Sequence, residues 1–281
     1  MSNPESLNNS KAVDEGDAKA IDRERPAHCM DGDIYKCLLK RHVHRYPDDG
    51  SHKMWMLPQL VVLFSTGDIN QVAKAIAKDM MHPIGIGLVA SVLVEESIRE
   101  EVIQRIKTLL KPMDERLHQH PNYLRSLKLI HRMNIETIHI EEYEEGNTEK
   151  RFDHIKPGSP VIVLDFPQHY IGDKPTAVIT MSTFRNFNEI AKLYHREGLS
   201  FDSVSVWTAK LAQCFELVTR LPLPPHWTFN CMNVSVDFLL QNPESNATVA
   251  VTQNMHYELH AINGKYKTIV FPLYSKALEK N

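Results

Sequence analysis

The pattern that most restricts the fold is the alternation of short apolar runs with helical repeats after residue 57. Leu60 to Phe64 is a continuous apolar run of strand length, and a helical face follows from Ile69 behind Asp68, a residue that can cap a helix. The same order of apolar run and helical pattern recurs as far as residue 221. It predicts an α/β fold, in which helices flank a parallel or mixed sheet on both faces.

Three further helix signals can be tested individually. Ser97 and Glu100 have the spacing of a capping box, in which Ser binds the amide three residues on and Glu reaches back. Asn186 precedes another helical face, and Gly198 follows the end of that face, as expected of a helix stop. We therefore expect helices to begin beside Ser97 and Asn186.

After residue 227, strand patterns follow one another without intervening helical patterns. Thr228 to Met232, Val249 to Tyr257 and Tyr266 to Phe271 are expected to be strands. Asn263-Gly264 is a strong signal for a tight turn between antiparallel strands. The sequence therefore predicts a C-terminal β-hairpin at the end of the α/β fold.

The chain has 281 residues and is 42% hydrophobic, which is enough for one large domain or two small ones at roughly 100–200 residues each. Residues 1–30 are polar and charged, and we expect a disordered tail there. Residues 31–275 are expected to form a single α/β domain, and residues 276–281 a short C-terminal tail.

Charge and hydropathy exclude several kinds of partner. The net charge is −3 and the pI is about 6.6, so no global basic field attracts nucleic acid or an anionic membrane. The longest nearly apolar stretch, Ile84 to Val94, is too short to span a bilayer as a helix. The N-terminus has no secretory pattern, and four cysteines do not make a disulfide framework. We expect a cytoplasmic protein that binds neither membrane nor nucleic acid.

The cysteines and histidines give one candidate set of metal ligands. Cys29, Cys37, His42 and His44 form a Cys-x7-Cys-x4-His-x-His string, whereas zinc sites usually bring closer cysteine pairs to one ion. We therefore expect no metal, and half-buried thiols at these positions. Cys231 has no sequence neighbour that would lower its pKa, and we expect it to be a packing thiol.

Over residues 57–235, the order of these segments resembles the catalytic domain of aldehyde dehydrogenases. The resemblance rests on four segments. Three of them match in their order of strands and helices: Leu60 to Ile69, Val92 to Ile98 and Ala177 to Leu211. The fourth, Phe229-Asn230-Cys231-Met232-Asn233, is similar to the family's "VNCYN" strand. The chain also resembles a small insect family of aldehyde dehydrogenase-like proteins to which no function is assigned. The resemblance implies the catalytic-domain fold.

The resemblance also implies a position for the nucleophile, which in aldehyde dehydrogenases is a cysteine that attacks the aldehyde carbon. Matching from Val94 places Ile86 at the nucleophile position, and matching from Asp68 places the nucleophile near Leu88. Neither residue can attack, and no cysteine occurs between Cys37 and Cys214. Without a thiolate no thiohemiacetal forms, so hydride transfer has no starting intermediate. The catalytic loop is therefore expected to be degenerate at His82, Pro83, Ile84, Gly85, Ile86 and Gly87.

The other parts of the family's site also depart from its pattern. Residues 52–57, which match the segment of the general-base glutamate, contain no carboxylate. The "ExFGP" step corresponds to residues 171–175, where proline matches but glutamate and phenylalanine do not. The segment before the first strand is expected to be too short and polar for a dinucleotide domain. We therefore expect no catalytic residues, no nicotinamide site and no cofactor.

These observations support a binding or scaffold module that is catalytically inactive, whose partner protein is unknown. An alternative is a residual NAD(P)-dependent oxidoreductase that acts on an aldehyde. A third hypothesis is a pocket that binds a small apolar aldehyde or lipid without converting it, because Ile84, Ile86 and Leu88 are apolar. Aldehyde dehydrogenases pair through a strand hairpin, so the resemblance also implies a homodimer through the C-terminal hairpin.

Overall fold

The computed structural model describes residues 58–83, 87–140, 155, 158–172, 176–221, 223–234, 249–252, 254–262 and 265–273. These residues contain ten strands, which are β1 (Gln59–Leu63), β2 (Val89–Glu95), β3 (Thr137–Ile138), β4 (Val161–Leu164), β5 (Val178–Phe184), β6 (Ser203–Trp207), β7 (His226–Phe229), β8 (Val249–Thr252), β9 (Met255–Ile262) and β10 (Lys265–Pro272). All ten belong to one sheet, in the order β3-β4-β5-β2-β1-β6-β7-β10-β9-β8.

Six α-helices accompany the sheet in the described residues: α1 (Ile69–Met81), α2 (Arg99–Leu109), α3 (Glu115–His118), α4 (Pro121–Met133), α5 (Phe187–Arg196) and α6 (Leu211–Arg220). Short 3-10 turns occupy Glu96–Ile98 and Gln168–Tyr170. None of the described helices combines the length and apolar character required to cross a bilayer.

The seven neighbouring strands from β4 to β10 in the sheet run parallel, and β3, β9 and β8 are antiparallel to their neighbours. A parallel core with antiparallel strands at both ends is a mixed sheet. β9 and β10 pair in antiparallel register from Ile262 opposite Lys265. The predicted α/β class, with a mixed sheet flanked by helices and a C-terminal hairpin, is confirmed; the turn residues 263–264 lie outside the described residues.

β1 lies inside the sheet, between β2 and β6, and every residue of β1 is buried. Leu60 and Val62 face the layer formed by α5 and α6, whereas Val61 and Leu63 face α1 and α2. Because helices cover both faces, the strand has a continuous apolar sequence instead of an alternating one. This explains why the Leu60–Phe64 run is such a strong signal.

All three predicted helices begin where expected, but only two of the three predicted caps are confirmed. Asp68 Oδ1 accepts a hydrogen bond from the Gln71 amide at 2.9 Å, and Asn186 Oδ1 accepts from the amides of residues 188 and 189. Ser97 caps nothing, because it lies within a 3-10 turn and α2 begins at Arg99. The Ser65 amide donates to the Glu95 carboxylate, and the Arg185 guanidinium donates to the Glu96 carboxylate, so both carboxylates just before Ser97 have partners distant in sequence.

Two predicted strands end earlier than expected. The strand expected at Thr228–Met232 ends at Phe229, because Asn230 takes a left-handed backbone conformation with φ of 52°. The strand expected at Val249–Tyr257 is two strands, β8 and β9. Asn254, with φ of 62°, reverses the chain between them. Asparagine tolerates this conformation better than most residues other than glycine, so a tight turn can form there without a glycine signal.

Candidate functional site

The loop that the resemblance identifies as catalytic joins α1 to β2, at the edge of the sheet where the parallel strands begin. Residues 84–86 lie outside the described residues. His82 is exposed at the end of α1, and its Nδ1 donates to the Lys78 carbonyl oxygen at 3.2 Å. Pro83 is buried, and Gly87 has a left-handed backbone with φ of 69°. None of the three described loop residues carries a thiol.

A buried carboxylate, Asp79, lies beside this loop on the inner face of α1. Its Oδ1 accepts a hydrogen bond from Asn233 Nδ2 at 3.1 Å, and its Oδ2 accepts from the Val89 amide at 3.4 Å. Burial raises the pKa of Asp79, and these two hydrogen bonds oppose that effect. Asp79 therefore ties the start of β2 to the segment that follows β7. The sequence analysis did not identify it, although an aspartate among the buried positions of a helical face was a signal.

A second buried carboxyl group, that of Glu197, lies just beyond the end of α5 at the same edge of the sheet. Its side chain is fully buried, and Oε2 accepts from the Gln168 amide at 2.9 Å and from Thr180 Oγ1 at 3.2 Å. Burial raises its pKa, opposed by these hydrogen bonds, by the charge of Arg196 and by Ser91. No pattern in the sequence singles out Glu197, because it lies in a polar stretch between Tyr194 and Gly198.

The two described cysteines are unsuited to nucleophilic chemistry. Cys214 is buried in α6, and Cys231 follows β7, where its Sγ donates to the Val270 carbonyl oxygen at 3.7 Å. Burial raises the pKa of each thiol to about 12. At neutral pH almost none of either thiol is ionised, and the thiolate is the reactive form.

The candidate metal ligands Cys29, Cys37, His42 and His44 lie outside the described residues. Within the part of the chain that the structure describes, no three His, Cys, Asp or Glu side chains are placed to hold a metal ion. The most compact histidine–carboxylate cluster is on β9, where Nε2 of His256 donates to Glu258 Oε1 at 2.8 Å and Nε2 of His260 donates to Glu258 Oε2 at 2.5 Å. The two imidazoles there are hydrogen-bonded to the carboxylate.

The solved structures to which the chain is similar include dehydrogenases of aldehydes. They include the delta-pyrroline-5-carboxylate dehydrogenase of Mycobacterium tuberculosis (TM-score 0.47, 10% identity, 64% of this chain and 36% of that chain). A NAD-dependent benzaldehyde dehydrogenase from Corynebacterium glutamicum has a TM-score of 0.45 and 15% identity over 66% of this chain and 41% of that chain. Lactaldehyde dehydrogenase from Escherichia coli has a TM-score of 0.45 and 13% identity over 63% and 40%.

The matched region therefore spans about two fifths of the length of these structures. A comparison with curated proteins found no match. The sequence does match a family model, described as "protein of unknown function (DUF1487)", over residues 54–277, which is most of the chain. The chain belongs to the DUF1487 family.

Proposed function

We propose that this protein is a catalytically inactive relative of the aldehyde dehydrogenases that works as a binding or scaffold module. The observation that carries the proposal is the state of its thiols. The chain has no cysteine between residues 37 and 214, where the resemblance requires the nucleophile. The thiols that follow, Cys214 and Cys231, have pKa values of about 12. A dehydrogenase that works through a thiohemiacetal needs a thiolate at neutral pH.

The carboxyl groups at the same edge of the sheet also favour a non-catalytic role. A general base must be within hydrogen-bond reach of the proton that it removes. Both oxygens of Asp79 already accept hydrogen bonds from the protein, and the Glu197 side chain has no exposed surface. These groups hold the loop and the end of α5 in place, and neither is presented to a substrate.

The proposal includes the absence of a nicotinamide cofactor, and two measurements test it. The purified chain is assayed for reduction of NAD and NADP with a panel of aldehydes, and each cofactor is titrated by calorimetry. We expect no turnover, and no saturable binding tighter than about 100 μM, which corresponds to roughly −5.5 kcal/mol.

The variant Cys231→Ser distinguishes true inactivity from chemistry at an unexpected thiol. If the wild-type chain reduces either cofactor and this variant does not, Cys231 is the nucleophile and the proposal is wrong. Cys214→Ser is the matched control, because the Cys214 thiol has the same raised pKa and is fully buried, whereas Cys231 is partly exposed. Saturable cofactor binding without turnover would also contradict the proposal, since it would show a surviving cofactor site.

We further propose that the protein is cytoplasmic and pairs with a second copy through its C-terminal hairpin, β9–β10, and the adjoining β8. Two apolar side chains of β8, Val249 and Val251, are 50% and 58% exposed. No described strand pairs with the outer side of β8. Its sequence, Val-Ala-Val-Thr, carries none of the charges or prolines that usually protect an edge strand from pairing.

The proposed cytoplasmic location is tested by fractionation of cells that express the tagged full chain.

A further inference from the structure

Several buried oxygen atoms without hydrogen-bond partners lie around the end of α5. Among the described residues, eight buried side-chain N or O atoms have no partner, and three of them are Ser91 Oγ, Gln168 Oε1 and Glu197 Oε1. The parent residues are 0–1% exposed. Such atoms are rare in native proteins, and each needs an explanation such as a bound water or ion.

These three residues belong to one locality. The Gln168 amide and Thr180 Oγ1 both bind Glu197 Oε2, and Ser91 is the register partner of Thr180 on the neighbouring strand. Ser91 also lies close enough to the Glu197 carboxyl group to lower its pKa, although Oγ forms no hydrogen bond of acceptable geometry. The three unpaired atoms are all oxygens. Gln168 Oε1 can only accept a hydrogen bond, and so can Glu197 Oε1 when its carboxyl group is ionised.

The charge of this carboxylate is poorly compensated. The charge of Arg196 acts on this carboxylate, but the Arg196 side chain is exposed and donates through Nη2 to Ser182 Oγ at 2.8 Å. A buried carboxylate without a close counter-ion is costly, and the cost is removed by a proton or by a bound cation. The unpaired oxygens of Ser91 and Gln168 could also serve as ligands of such a cation.

We propose that Glu197, together with Ser91, Thr180 and Gln168, binds one monovalent metal cation, K⁺ or Na⁺. Oxygen donors are the ligands that such hard cations prefer. One carboxylate neutralises one positive charge, whereas a divalent ion would leave an uncompensated charge in a sealed, low-dielectric site. The bound ion would join β2, β5, α5 and the Gln168–Tyr170 turn. This inference goes beyond the proposed function and does not depend on it, because its test measures stability and not activity.

The test is thermal unfolding of the full chain in KCl, NaCl or choline chloride at the same ionic strength, about 0.15 M, at pH 7.5. We expect Tm to be at least about 3 °C higher in one of the two metal salts than in choline chloride, because a ligand that binds only the folded state stabilises it. Glu197→Gln should remove this difference. Glu216→Gln, on the exposed face of α6, should retain it.

Two results would overturn the proposal. One is the same Tm in all three salts for the wild-type chain. The other is a Tm that falls as the pH rises from 5 to 8 equally in all three salts, which would show that a proton neutralises Glu197. If Glu197→Gln does not fold, Ser91→Ala replaces it, because this variant keeps the carboxylate and removes one ligand. It should need a higher metal concentration for the same rise in Tm, and an unchanged concentration dependence would contradict the site.

Discussion

Lys267 is a charged residue in the interior of the protein, with only 2% of its surface exposed. Its Nζ donates to the carbonyl oxygens of Val218 at 2.9 Å and Leu221 at 2.6 Å, at the C-terminal end of α6. It also lies 5.1 Å from the centre of the Trp227 ring. The lysine therefore satisfies carbonyl groups that the end of a helix leaves without partners.

We expect Lys267→Met to lower the free energy of unfolding at pH 7 by about 1–3 kcal/mol, because it leaves two carbonyl oxygens unpaired. Urea unfolding measures the change. Lys265→Met is the matched control, since that lysine is on the same strand and exposed, and its substitution should change stability by less than about 0.5 kcal/mol. Equal losses in both variants would show that the buried hydrogen bonds contribute little.

The wild type and Lys267→Met should also differ in how their stability depends on pH. Burial lowers the pKa of Lys267 to about 8, from the ordinary value of 10.5. Between these values the unfolded chain holds a proton that the folded chain has released, so this residue makes stability rise with pH in that interval. We expect the wild type to gain stability relative to Lys267→Met from pH 8 to 10. A parallel profile for the two proteins would contradict the lowered pKa.

At the scale of the element, the N-terminal ends of α5 and α2 differ in how they are stabilised. Asn186 binds two amides at the start of α5, and its Nδ2 donates to Glu189 Oε1 at 3.0 Å. We expect Asn186→Ala to cost about 1 kcal/mol in chemical unfolding. Ser97→Ala, at a site with the same kind of sequence signal, should cost less than about 0.5 kcal/mol. A larger loss at Ser97 would mean that it caps α2 after all.

This comparison also shows which parts of the fold local sequence can predict. Asp68 and Asn186 cap helices through amides two or three residues away, so their patterns suffice. At the start of α2, by contrast, Glu96 pairs with Arg185, and these two residues are 89 positions apart in the chain. The turn at Asn254 depends on a left-handed asparagine, which has no strong sequence signature.

The candidate site was harder to predict for the same reason. The position of the loop between α1 and β2 followed from the order of segments, whereas its degeneracy stays a prediction. Asp79 and Asn233 meet across 154 residues of chain, and Glu197 meets Gln168 across 29. Such contacts follow from the topology of the sheet, so the residue pattern within a single helix or strand cannot predict them.

At the scale of the whole molecule, the proposed pairing makes a prediction about size. Light scattering of the full chain at micromolar concentration should show a dimer, because pairing would cover Val249 and Val251. Val251→Lys should shift the population to monomer, since a lysine on an edge strand opposes strand pairing. Glu136→Lys, beside the short β3 at the opposite end of the sheet, is the control. A monomeric wild type would contradict the pairing.

The central position of β1 has a consequence for synthesis of the chain. Its partner β2 ends at residue 95, but its other partner, β6, is complete only at residue 207, about 110 residues later. At about 5–20 residues per second, one edge of β1, which is apolar from Leu60 to Leu63, waits roughly 6–22 s on the ribosome for its neighbour. During that interval β1, α1, β2 and α2 present an unpaired sheet edge, so chaperones have the most to protect while residues 96–207 are being translated.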